Sequence, residues 1–325
     1  VSSSNKTLGG YLGLELPKFE IDAFKDFRMF NSARSAFASL VDQLAIEEVW
    51  LPRYLCDSMI QIFDRRVVEL NYYDLRSDFS IEDDIILAEN SVILYVNYFG
   101  VCNFQSEAVI KQYGKESVVI DNSQAWFSQP FDALATIYSP RKFFGLPDGG
   151  VLHCIDPRIQ PPTRRDESSQ TRMDHLISRI TNTPEMAYKE YLVAEQSIAE
   201  MPVLGMSQLT ERLLQSIDFQ AAKNARRRNA NYLHHRLGEH NQLDLNISED
   251  TAPLCYPVLP KCKMASRTDL IRQRVFVPSY WPEVLSHVDE SSFEWELVRN
   301  GLFLPCDQRY GEKDMDRLIS LLGIS

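Results

Sequence analysis

The sequence predicts an α/β protein: a three-layer α/β/α unit around a mostly parallel central sheet, followed by a smaller C-terminal α+β domain. Three observations predict it. Apolar runs with few polar breaks, Val92–Asn97 (VILYVN) and Val118–Asp121 (VVID) foremost, read as strands buried on both faces. Segments with apolar residues at helical spacing alternate with these runs, as βαβ units require. Residues 250–325 change character after a helical stretch, and short strand and helix signals there mark a smaller unit.

The elements follow in order. Asn31-Ser32 stands before ARSAFASLVDQL, a helical pattern with a capping side chain in front of it. Val49–Leu51 is a strand that stops at Pro52, and a helical piece runs from Asp57 to Phe63. Val67–Leu70, Val92–Asn97, Val118–Asp121, Ala135–Tyr138 and Val151–Cys154 are further strands, with a helix over Gln105–Tyr113. The tract from Pro157 to Arg172, rich in Pro, Arg, Asp and Ser, reads as a surface loop or domain crossing. Residues 173–240 are helical by pattern. They include a helix that Ser207 caps and a longer amphipathic one from Ala221 to Leu237. Leu254–Leu259 and Val275–Val277 read as strands, Arg267–Arg274 and Lys313–Leu322 as helices. The expected division is a large domain over 1–240 and a small one over 241–325.

Bulk properties narrow the function. A hydrophobic fraction of 44% with 24% charged residues is that of an ordinary globular chain. A net charge of -11 leaves no basic field to collect phosphates, so nucleic acid is not an expected partner. Six scattered cysteines without a CxxC pair suggest neither a zinc site nor a disulfide framework, and the histidines have no metal-ligand spacing. No run approaches the roughly 18 apolar residues of a membrane span, and the opening VSSSNK carries no apolar signal segment. A cytoplasmic location is the resulting expectation. No GxGxxG or P-loop supports a dinucleotide or ATPase site.

Two segments carry the chemistry: Val118–Trp126 (VVIDNSQAW) and Tyr138–Gly150 (YSPRKFFGLPDGG). Asp121 ends a strand, where open α/β sheets bind ligands. A carboxylate there can pair with a pyridinium nitrogen and keep it protonated; the plainer alternative is an Asp that caps the next turn. Lys142 follows another strand in a Ser/Pro/Gly-rich turn. A lysine is ordinarily a solvated surface group. Here Arg141 precedes it and two phenylalanines follow, the charge and desolvation that make an amine an imine-forming nucleophile. An acid at one strand end and a lysine after another suit a pyridoxal 5'-phosphate site. Gln124 could reach the phenolic edge of that ring, and Ser139 could donate to its phosphate. The helix start at 31–37 offers orphan amides and hydroxyls to the phosphate, and Arg34 adds charge. Trp126 reads as packing. Arg53, Arg141, Arg226, Arg227, Arg228 and Tyr188 are open between contact with an acidic substrate and ordinary surface pairing or packing.

On these residues the chain resembles the DegT/DnrJ/EryC1/StrS sugar aminotransferases, within the fold type I pyridoxal-phosphate enzymes (the aspartate aminotransferase superfamily). Asp121-Asn-Ser-Gln124 matches the family's Asp-x-x-Gln/His, and Lys142 with Asp148-Gly-Gly matches its Schiff-base lysine followed by Glu-Gly-Gly. Asn31–Phe37 is similar to its phosphate turn, with Ala33 where glycine is usual. Gly9–Pro17, Pro52–Asp57, Val96–Gly100, Gly205–Ser207, Arg228–Tyr232 and Leu304–Gly311 are supportive likenesses. The resemblance implies a fold type I large domain and an aminotransferase moving an amino group from a donor, glutamate, to a keto acceptor, a nucleotide-linked keto-deoxysugar. It implies Lys142 and Asp121 as catalytic residues, with Gln124 at the phenolic oxygen and Ser139, Arg34, Ser35 and the Ala33 turn around the phosphate. It also implies a homodimer with a shared active site, in which Asn229 or Asn231 of the second copy reaches the phosphate. Where the family stacks an aromatic ring on the cofactor this chain has Cys56, so Tyr54 substitutes or another group covers that face. The remaining readings are a sugar dehydratase or lyase using the same cofactor, and a non-catalytic dimeric binding protein that kept the fold.

Overall fold

The structure is a computed structural model that describes residues 8–19, 26–154 and 156–324. The opening VSSSNK lies outside the described residues. The large domain is built from β1 (Arg28–Phe30), α1 (Ala33–Leu44), β2 (Glu48–Pro52), α2 (Asp57–Ile60), β3 (Glu69–Tyr73), β4 (Ser91–Val96), α3 (Asn103–Tyr113), β5 (Val118–Asn122), β6 (Ala135–Tyr138) and β7 (Gly150–Cys154). Four helices follow: α4 (Asp174–Thr181), α5 (Tyr188–Glu200), α6 (Gln208–Leu214) and α7 (Phe219–Leu237). The C-terminal part holds β8 (Tyr256–Val258), α8 (Arg267–Arg272), α9 (Phe293–Asn300), β9 (Leu302–Leu304) and α10 (Glu312–Leu322).

The seven strands form one sheet in the order β1-β7-β6-β5-β4-β2-β3. The five strands from β6 to β3 are parallel; β7 runs antiparallel to both its neighbours. Every residue of β4, β5 and β6 is buried, as the unbroken apolar runs require of strands covered on two faces. β3, at the edge, is mostly half-buried and leaves Glu69 in solvent. Registering Val96 on Asp121 and Asp121 on Ile137 brings the carboxyl ends of β4, β5 and β6 side by side. The C-terminal β8–β9 pair is antiparallel and packs into the same apolar core as the large sheet.

Most predicted elements appear within a few residues of their expected bounds. Three differences have clear causes. The strand expected at 67–70 begins two residues later, leaving Val67 fully exposed, because β3 pairs in register with β2 from Glu48 onward. Val275–Val277 buries both valines yet has no strand partner among the described residues, so its alternation reflects packing alone. β1 and β9, three residues each, were too short to carry a periodic signal.

The tract over 157–172 is anchored rather than free. Its Asp166 amide donates to the Gly205 carbonyl at 3.0 Å. Arg172, 1% exposed, forms a buried ion pair with Asp166 and donates to the Pro147 carbonyl at 3.1 Å. Next to Pro147, the buried Asp148 holds the start of α6. It accepts the Ser207 amide at 2.8 Å, the Ser207 hydroxyl at 2.6 Å and the Thr210 hydroxyl. Burial pushes the Asp148 carboxyl above its ordinary value, although these three donors pull it the other way. A carboxyl raised in the folded state contributes stability below the unfolded value of about 4 and loses it as pH rises. We therefore expect the stability advantage of wild type over Asp148→Asn to shrink from about pH 4 towards neutrality. Denaturant titrations at the two pH values check this; an advantage that grows with pH would show that the three donors outweigh burial.

Candidate active site

The site lies where three parallel strands end opposite the N-terminus of α1. Asp121, 4% exposed, is the penultimate residue of β5, and its Oδ1 accepts the Ser123 amide at 2.7 Å, which fixes the orientation of the carboxylate. Gln124 follows in the turn. Its Oε1 accepts the Phe99 amide at 2.7 Å. Phe99 has a left-handed backbone (φ 56°), and the turn continues through Gly100 (φ 80°), where a Cβ would lie 2.9 Å from the Gln124 carbonyl oxygen. The strand-end turn after β4 thus clamps the Gln124 amide.

Ser139 follows β6, and a single 3₁₀ turn, Pro140–Lys142, carries Lys142. Opposite them, Ser32 caps α1: its hydroxyl accepts the Ser35 amide at 3.1 Å and donates to the Ser35 hydroxyl at 2.8 Å. That cap leaves the first amides of α1, at Ala33 and Arg34, outside any intrahelical bond. The helix start is pressed against β7. A Cβ on Gly150 would lie 2.0 Å from the Ser32 carbonyl carbon and 2.3 Å from the Ala33 nitrogen.

These groups line one cavity of about 230 Å³: Ser32, Ala33 and Arg34 from α1, Asp121 and Gln124 from β5 and its turn, and Ser139 and Lys142 after β6. Arg34 donates to the Ile198 carbonyl of α5, and burial lowers its pKa. Arg141 pairs with Glu195 of α5, so that helix covers the cavity. A second, larger cleft of about 570 Å³ opens on the other side of Arg141 and Lys142. Phe143, Phe276, Tyr280 and Phe303 line it, with Arg179 and Arg309 also contributing.

The cavity fits pyridoxal phosphate on an observation independent of motif. The Nε2 of Gln124 is fully buried and has no partner among the described residues, while its Oε1 is already committed. A buried donor without an acceptor is costly, and the cofactor's phenolic oxygen is an acceptor of the kind it lacks.

Not every residue expected here lies in the cavity. Ser35 stands behind Ser32. Tyr54 is fully buried within an aromatic cluster, its ring 5.5 Å from Tyr98 and 4.7 Å from Trp281, and does not line the cavity. Asn229 is 2% exposed and donates to the carbonyls of Cys306, Asp307 and Tyr310, so its amide ties α7 to the C-terminal part of its own chain. Asn231 is half-buried on the same helix, also outside the cavity. Arg53 pairs with Asp74 and Arg227 with Asp250, while Arg226 is buried over the Phe143 ring and holds the Pro253 and Leu254 carbonyls. Arg228 and Tyr188 are exposed. Sequence reasoning missed Glu195 and Trp281, both of which line the cavity. Neither has a local signal, since each reaches the site from a distant part of the chain.

No family model matches this sequence, and no curated protein does either. Solved structures do match. The chain is similar to the sugar aminotransferase CalS13 from Micromonospora echinospora at 14% identity and TM-score 0.60, over 91% of this chain and 86% of that one. It is similar to Helicobacter pylori PseC, an aminotransferase of pseudoaminic acid biosynthesis, at 14% identity and TM-score 0.59, over 91% and 85%. A GDP-4-keto-6-deoxymannose-3-dehydratase, solved with a trapped PLP-glutamate geminal diamine, matches at 15% identity and TM-score 0.59, over 91% and 88%. The fold is accordingly that of the fold type I pyridoxal-phosphate transferases, a large domain around the mixed sheet with a smaller C-terminal domain.

The contact between β7 and α1 is the part of the site least tolerant of added volume. Gly150→Ala is expected to destabilise the fold by about 1–3 kcal/mol, as overpacking does, and to weaken cofactor binding. Denaturant titration and cofactor titration check the two effects.

Proposed function

We propose that this chain is a pyridoxal-phosphate-dependent aminotransferase of the DegT/DnrJ/EryC1/StrS type, taking an amino group from glutamate and delivering it to a nucleotide-linked keto sugar. The observation that carries the reading is the convergence of Lys142, Asp121 and the unpartnered Gln124 amide on one cavity at the carboxyl ends of the strands. Fold likeness supports the cofactor class and leaves the reaction to the site itself.

When bound, pyridoxal phosphate supplies a carbonyl for amines to condense with and a ring that takes up electron density from the substrate's Cα. Lys142 would hold the group through that carbonyl, and its amine, when free, would be the base positioned to take a proton from the donor's Cα. Asp121 would keep a proton on the ring nitrogen, and Gln124 would donate to the phenolic oxygen. Ser139, Arg34 and the first amides of α1 receive the phosphate. Glu195 holds Arg141 in place beside Lys142. The larger cleft, with aromatic walls and Arg179 and Arg309, suits the sugar and its diphosphate.

A homodimer is part of the proposal. Exposed apolar side chains at Leu8, Tyr11, Leu12 and Leu14, and at Tyr188, Leu192 and Val193 of α5, support a second copy covering them. With Asn229 engaged in its own chain, Asn231 is the asparagine left to reach a neighbour's phosphate.

Purified protein given the cofactor is expected to show a visible absorbance band that Lys142→Ala abolishes; a wild type without the band overturns the assignment. Addition of glutamate should convert the bound cofactor to pyridoxamine phosphate in a single turnover, and a keto-sugar nucleotide should reverse that conversion. Glutamate conversion with no return by any keto sugar would remove the sugar acceptor and keep the transaminase.

A further inference from the structure

Trp281 comes from the C-terminal part of the chain and lines the same cavity as Asp121 and Lys142. Its backbone is left-handed (φ 55°, ψ 58°), a conformation rare for a bulky residue. Pro282 follows it, and a residue before proline is pushed away from compact conformations towards extended ones. The surroundings hold this strained position firmly. The Trp281 ring lies edge-on to Tyr54 at 4.7 Å and to Tyr98 at 6.2 Å. Beyond it, the Glu283 carboxylate accepts the Asp57 amide at 3.4 Å, so the turn is fastened to the segment that follows β2. Strain held in this way at a cavity wall points to a use for the side chain.

The neighbouring Tyr280 lines the larger cleft instead, so two consecutive residues face two adjoining spaces. Cys56 also lines the smaller cavity, where the resemblance leads one to expect an aromatic ring, and Tyr54 is turned away into the core. We infer that Trp281 is the aromatic wall of the cofactor cavity, carried on the same turn whose Tyr280 lines the larger cleft. The inference rests on the cofactor assignment proposed above.

The test is titration of the purified protein with pyridoxal phosphate, together with hydrogen exchange of residues 280–286 in its presence and absence. Trp281→Ala should weaken cofactor affinity about tenfold, the upper range for losing one aromatic contact, and alter the visible circular dichroism of the bound cofactor. Trp281→Phe should restore both, and Trp295→Phe, away from the cavity, should change neither. In the wild type, cofactor should slow exchange across 280–286. If Trp281→Ala is folded and binds like wild type with the same spectrum, the inference is overturned while the cofactor assignment survives. Should that variant fail to fold, unchanged exchange at 280–286 in the wild type overturns it equally. A wild type that binds no cofactor overturns both.

Discussion

The close approach of β7 to the start of α1 is the constraint on which the rest of the site depends. Gly150 leaves no space for a methyl group between its own backbone and that of Ser32 and Ala33. The same region is tied by the Gly149 amide, which donates to the Asn31 carbonyl at 2.7 Å. This places the start of α1 beside the strand ends that lead to Asp121 and Ser139. Because β7 runs antiparallel to its neighbours, Gly150 starts the strand at the edge where the parallel strands finish. The start of α1 and the Asp121 carboxylate are thereby brought to one small cavity.

Buried polar groups reinforce that geometry at a cost that they meet by pairing. Asp148 is satisfied by three donors at the head of α6, and Arg172 by Asp166 and the Pro147 carbonyl. Removing one partner from such a set leaves the other stranded in a low-dielectric interior, which is what makes them specify position. Gln124 differs in kind. One half of its amide is clamped by the turn after β4 and the other half is left unbonded inside the cavity. The Nε of Arg141, on the same cavity, likewise has no partner among the described residues.

Legibility in the sequence followed the distance over which each feature is decided. Asp121 and Lys142 were readable because each sits at the end of an apolar run whose local pattern already says strand. Ser207 and Ser32 were readable as caps for the same reason, and both cap the helices expected of them. The resemblance implied Tyr54 and Asn229 beside the cofactor, and within this chain packing engages both elsewhere. Tyr54 joins Tyr98 and Trp281 in an aromatic cluster, and Asn229 finds three carbonyls in its own chain. Val275–Val277 has a strand's alternation without a strand's partner.

By itself, the sequence determined the alternating architecture and the strand ends that lead to the acid and the lysine. Those depend on periodicity and on which residues neighbour one another along the chain. Only the tertiary structure decided that β7 runs against the sheet, that Glu195 reaches Arg141 from α5, and that Trp281 crosses from the C-terminal part to wall the cavity. Each of these brings together residues separated by tens to hundreds of positions. Strand direction and long-range packing are set by how whole elements bury their apolar faces against one another, and no local pattern of side chains records that.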